Sequence, residues 1–416
     1  MALSRIEQLS PELKQLVLTY AADWPSLRSA VLSCPAFYLA FKGAEPWIAR
    51  RFVENLIGPG ALPEALLAQG LRRRATAGGS SPESAEAAES WLAAELRKKR
   101  RVVTQEQSLW AGDAIAMSRL HHIVERFVDE YIHHCQIVTL PPGCPRPAYT
   151  FQKRPLTDTE RARISRALYL WEMWSRLHRC GAPCAQAGYR LPDDIYGTKE
   201  VTQHPFFSAL LPWEKEQLLC INDALNYFES SECVKPLFHN RLTFPNERDM
   251  TEPERELWSA LRNRSMVQLG LETSHEASIA PDPARRTELL LQGQTVEELR
   301  QSTYPPQLWN ILNTLQGCQD YFLEGIDGIE LFLRGTSERG EDAESVPREV
   351  WTWVNTGIGW GRQAGDIGPE RKLQRLKALG NVRCTGLVMW DHTRLYRTGV
   401  FRKDVESWLV SRRKQQ

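Results

Sequence analysis

The chain has 416 residues, 42% of them apolar and 25% charged, with a formal net charge of +1. Length and apolar content allow a sizeable core and about two to three domains or one continuous helical body, whereas so even a charge balance gives no case for nucleic acid, a membrane surface or an acidic substrate. The start, MALSRIEQLSPELKQ, lacks an apolar h-region, no stretch approaches eighteen apolar residues, and nine scattered cysteines form no disulfide framework, so a reducing setting, cytoplasmic and/or nuclear, is expected.

Residues 9–41, LSPELKQLVLTYAADWPSLRSAVLSCPAFYLAF, carry three helix starts. Ser10 caps a helix with Pro11 just inside it and Glu12 at its positive end, predicting a helix over Pro11 to Tyr20. Asp23 with Pro25, then Cys34 with Pro35, repeat the punctuation and predict two more short helices. These residues resemble an F-box, whose opening is Leu-Pro-Pro-Glu and an apolar residue, here Leu9-Ser10-Pro11-Glu12-Leu13, continued by Leu16 and Leu18 in the first helix and Leu27, Val31 and Leu32 in the second. The proline at the second position of that opening is replaced by Ser10. The resemblance implies a three-helix unit over residues 1–57 that docks on a Skp-type adaptor protein and so joins a cullin ubiquitin ligase. Leu9, Pro11, Leu13, Leu16, Leu27 and Val31 would then form the partner face. Exposure of Leu9, Pro11, Leu13 and Leu27 as one apolar patch would imply an absent partner; burial would mean that the unit merely closes a larger helical core.

Further along, PWIARRFVENLIG reads as a helix stopped by Gly58-Pro59-Gly60, and LPEALLAQGLRRR as another. Residues 76–89 turn to Ala, Gly, Ser and Glu, short of the large apolar groups that offset ordering entropy, and predict a flexible loop. Arg72-Arg73-Arg74 and Arg97-Lys98-Lys99-Arg100-Arg101 read either as solvated helix faces or as a basic nuclear-import patch. From Gln107 to Ile137 one long helix is expected, with Leu109, Ile115, Leu120, Ile123, Val124, Phe127, Tyr131 and Ile132 on its buried side. Its His121-His122 and His133-His134-Cys135 groups stand about 16 Å apart along a helix, too far for one metal ion.

Pro141 to Pro155 is a proline-rich boundary, followed by the capping box Thr157-Asp158-Thr159-Glu160. Beyond it Ile164, Leu168 and Trp171 begin an aromatic stripe typical of a core. His178, Cys180 and Cys184 lack a second ligand pair for zinc. Pro212 opens a helix with Leu218, Ile221, Leu225 and Phe228 on one face. The segments PLTDTERARISRALYLWEMWSRL, FFSALLPWEKEQLLCINDALNYF and GLVMWDHTRLYRTGVF are similar to a large, poorly characterised group of fungal F-box-like proteins. They are packing patterns and name no substrate.

Thr251 with Glu254 starts a further helix, residues 335–347 predict a second loop, Glu370 to Leu379 a helix, and CTGLVMWDHTRLY the one short strand. Gly357, Gly359 and Gly361 lack the strand and the Lys-Ser/Thr of a phosphate loop. Cys220, Asp193-Asp194 and Asp391-His392 assemble no nucleophile and base. The expectation is a mostly all-α protein: a unit at 1–57, a helical body at 90–334 and its C-terminal part at 348–416, with at most one or two short strands near the C-terminus. No catalytic, cofactor-binding or metal residues are expected. Two functions follow: a protein-interaction adaptor, as the substrate-recognition subunit of a Skp-cullin-F-box ligase with an unknown protein substrate, or a helical scaffold or regulator without ligase association.

Overall fold

Helix starts written in the sequence form as hydrogen bonds. Leu13 N donates to Ser10 Oγ at 3.4 Å and Ser26 N to Asp23 Oδ1 at 2.7 Å, satisfying amides that a helix leaves free in its first turn. The computed structural model describes residues 8–78, 82–99, 109–137, 155–179, 205–226, 270–280 and 386–391, with positions 285, 288, 289 and 395. Among these, 85% are helical and none is in a strand, so the architecture is all-α. In chain order the helices are α1 Pro11–Thr19, α2 Trp24–Ser33, α3 Pro35–Gly43, α4 Glu45–Ile57, α5 Leu62–Gly78, α6 Pro82–Lys99, α7 Ala111–Ile137, α8 Asp158–Arg179, the short α9 Pro205–Ser208, α10 Pro212–Asn226 and α11 Gly270–Ile279. The expected three-helix unit is therefore present as α1 to α3.

Two expectations are corrected. Residues 82–89, assigned to a flexible loop, form the first half of α6, and α5 continues through residue 78. Ala and Glu favour a helix at every position, and Ala88, Leu92, Ala93 and Leu96 are enough to bury one side of α6. The expected strand is instead a 3-10 turn, Leu387–Met389, with Leu395 helical. Gly386, at φ 65°, turns the chain there, and a Cβ on it would lie 2.6 Å from Tyr131 Oη. Glycine both permits that backbone and lets it approach α7. The second loop at 335–347, the glycines at 357–361, the helices expected near 251–264 and 370–379, and the Cys144, Cys180, Cys184, Asp193-Asp194 and His392 readings lie outside the described residues.

Helix α8 is the axis of the body. It packs against α5, α7, α10 and α11, and from Ala167 to Leu177 every residue is buried. The expected single stripe is thus a helix enclosed on all sides, with the polar side chains of Glu172, Ser175 and Arg176 buried alongside its apolar ones. Trp171 and Trp174 are fully buried, with Trp174 ring centroids 5.6 Å from Phe206 and 4.8 Å from Phe207. Helix α4 joins the N-terminal helices to α7. One apolar cluster runs from Leu18, Leu27 and Phe37 through Phe52, Val124 and Trp171 to Leu395. The three-helix unit shares this core with the body and has none of its own.

Candidate functional site

Helix α1 packs through one side, on which Lys14, Leu18 and Thr19 are buried. Gln15 Nε2 donates to the Ala40 carbonyl of α3 at 3.2 Å, and Asn55 Nδ2 from α4 caps α1 at the Thr19 carbonyl at 3.0 Å. The other side is open: Leu13 is 50% exposed, Leu16 45%, Val17 51% and Tyr20 73%. These positions are i, i+3, i+4 and i+7, one continuous stripe along the helix. Leu32, Tyr38, Leu39 and Trp47 are also exposed, so eight of the ten large apolar side chains exposed among the described residues lie between Leu13 and Trp47; the others are Trp110 and Ile279. Scattered single hydrophobics are ordinary on a surface, but a concentration in one unit is not.

The structure divides the sequence-derived partner face. Pro11, Leu13 and Leu16 are exposed and Leu9 is half-buried, whereas Leu27 is 0% exposed and Val31 is buried. Leu27 and Val31 belong to the core under α2 and offer nothing to a partner, which corrects their assignment. Helical spacing tells which residues share a face; it does not tell which face meets a neighbour. Val17, Tyr20, Leu39 and Trp47 are exposed apolar residues outside the sequence-derived face, and extending the spacing from Leu13 finds Val17 and Tyr20.

The arginines of α5 have partners within the protein while remaining largely at the surface. Arg73 Nε donates to Asp113 Oδ1 at 2.6 Å and its Nη2 also binds that carboxylate, Arg72 pairs with Glu272 at 3.6 Å, and the Arg74 guanidinium sits 4.5 Å above the Trp91 ring. These arginines tie α5 to α7, α11 and α6; Arg100 and Arg101 of the second basic run lie outside the described residues. Burial pushes the Asp113 carboxyl up, but hydrogen bonds from Arg73, the Trp110 amide and Gln69 outweigh it and hold it below its ordinary 3.8. Asp391 behaves alike: burial is overcome by the Thr157 and Thr159 hydroxyls and Arg163. It anchors the C-terminal segment to the start of α8. Cys220 is buried on α10. Among the described residues no group of three or more His, Cys, Asp or Glu converges as metal ligands, and no helix is long and apolar enough to cross a membrane.

His121 lies between helices, its Nδ1 3.1 Å from Tyr169 Oη on α8. Burial pushes its pKa below the ordinary 6.5, outweighing the opposing pull of Glu125 and the Leu56 backbone, with His122 and Arg161 lowering it further. The unfolded chain therefore takes up this proton first on acidification. The stability that neutral His121 contributes is complete above about 6.5 and falls as pH drops toward the lower folded value, before the Asp113 and Asp391 contributions are lost below 3.8. Moving from about pH 7.5 to 5.5 is expected to cost up to about 1.4 kcal/mol through this group. Thermal melts of the native chain and of His121→Gln at both pH values check it: the pH difference should shrink in the variant.

Comparisons of the chain with protein-family models, curated proteins and solved structures return no match.

Proposed function

We propose that this protein is a protein-interaction adaptor that docks through its N-terminal unit on a Skp-type adaptor protein, as the substrate-recognition subunit of a Skp-cullin-F-box ubiquitin ligase, with a protein substrate held by the helical body. The observation that carries the docking part is the exposed α1 stripe Leu13, Leu16, Val17 and Tyr20, backed by Leu32 and Leu39 on the same unit and by Trp47 at the start of α4. Four anchors at this spacing are how one helix presents itself to an apolar groove. The choice of partner rests on the resemblance of Leu9-Ser10-Pro11-Glu12-Leu13 to an F-box opening.

The test is binding of purified Skp-type adaptor to the full chain, to Leu13→Asp/Leu16→Asp, and to Ile279→Asp as an exposed control on α11. Loss of one buried apolar anchor costs about 2 kcal/mol, about thirtyfold in affinity, so the double variant should show no measurable binding while the control binds normally. Absence of binding by the native chain would sink the ligase reading. It would favour the second reading, a helical scaffold, for which the core shared by α1 to α3 and the body speaks.

A further inference from the structure

We propose that Thr159 is a phosphorylation site, whose phosphate takes Arg163 from Asp391 and so unlatches the Gly386–Asp391 segment from α8. This inference is independent of the adaptor reading. Thr159 is the second residue of α8 and is exposed. Its hydroxyl donates to Asp391 Oδ2 at 2.8 Å, while Arg163 Nη1 donates to Oδ1 of the same carboxylate at 2.6 Å. Arg163 stands four residues after Thr159, one turn along the same helix face, and its side chain is only 5% exposed. A surface hydroxyl and a nearly buried guanidinium on one helix are thus joined through a carboxylate that comes from 228 residues away in the sequence.

Transfer from a nucleoside triphosphate by a protein kinase forms a bond from Thr159 Oγ1 to the γ-phosphorus. The bond from that phosphorus to the β–γ bridging oxygen breaks, the nucleoside diphosphate leaves, and the hydroxyl proton passes to the kinase's base. One of the two hydroxyls that donate to Asp391 is then gone, leaving that of Thr157, and a charge of about −1.5 to −2 stands beside the carboxylate. Phosphate offers Arg163 a stronger, bidentate partner on its own helix. It also lies in the first turn of α8, where negative charge is favoured, so α8 persists while the latch opens. Thr157 is less suited, because its oxygen accepts from the Glu160 amide at 3.2 Å and caps the helix. Asp158, exposed beside Thr159, supplies an acidic context for a kinase with a basic substrate groove. The segment set free carries Val388, Met389 and Trp390, all buried in the latched state.

The full-length chain is treated with ATP and an acidic-site-directed Ser/Thr kinase, the phosphate is located by mass spectrometry, and amide exchange over residues 386–391 is compared before treatment, after it, and after phosphatase. Expected are stoichiometric phosphate on Thr159, at least tenfold faster exchange in 386–391 with α1 to α4 unchanged, and reversal by phosphatase. Thr159→Val, which removes the donor without adding charge, should exchange within threefold of the native chain. Absence of phosphate at Thr159, phosphate without local acceleration, loosening of the whole chain, or equal acceleration in Thr159→Val would each overturn the proposal.

Discussion

Glu172→Ala is expected to destabilise the fold by about 3–5 kcal/mol, the range for leaving a buried charge without its partner. Glu172 is fully buried on α8 and serves two elements at once: Oε1 accepts from Arg176 Nε at 2.7 Å and Oε2 from the Leu271 amide at 2.6 Å. That amide belongs to the first turn of α11, where no carbonyl of the helix can reach it. Truncation therefore strands the Arg176 guanidinium, itself 9% exposed with one further bond to Glu272 at 3.3 Å, and orphans a helix-start amide. The pair Glu172→Leu/Arg176→Met removes both charges and should recover much of the loss, keeping a deficit of about 1–3 kcal/mol for the unsatisfied Leu271 N–H. Urea midpoints followed by circular dichroism decide the matter. A double variant less stable than Glu172→Ala would mean that the packing of the two side chains, and not the stranded charge, sets the cost.

That network also shows where sequence reasoning stops. Signals that act within a few residues were legible. Ser10, Asp23 and the reciprocal pair Thr157 and Glu160, whose amides bond each other's side chains at 3.1 and 3.2 Å, start helices where spacing said they would. Gly58, at φ 75°, ends α4 as expected. Signals that need a neighbour in space were not. Nothing near Glu172 announces a partner 99 residues on, and nothing near Arg163 announces Asp391. Residues 82–89 failed because their large apolar count is low, although Ala on a helix packs closely and needs little else. Leu27 and Val31 failed for a related reason, since periodicity fixes a face but leaves its partner open. The candidate docking face was half legible: Pro11, Leu13 and Leu16 are at the surface, and the stripe continues to Val17 and Tyr20.

Removing residues 1–43 is expected to abolish cooperative folding of the whole chain, because α1 to α3 fill the core that α4 and α7 build. Leu18, Leu27, Val31, Phe37 and Phe41 would all be lost from the continuous cluster. At about 1.5–3 kcal/mol for each buried side chain, they contribute on the order of 10 kcal/mol of gross burial, comparable with the entire net stability of a typical domain. The same cut uncovers the fully buried Ile48 and Phe52 of α4, strips Phe52 of the Trp24 edge contact at 6.2 Å, and leaves the Asn55 amide without the Thr19 carbonyl it caps. Loss of partner binding in such a truncation would therefore report unfolding as readily as loss of a docking face. Leu13→Asp/Leu16→Asp acts differently, since both side chains are about half exposed and stand on the open side of α1. Its melting temperature should stay within a few degrees of the native chain, whereas the truncated protein should show no cooperative transition and should bind a dye for exposed apolar surface. A folded, cooperatively melting truncation would instead make residues 1–43 a separable module, and would remove the shared core as an argument for the scaffold reading.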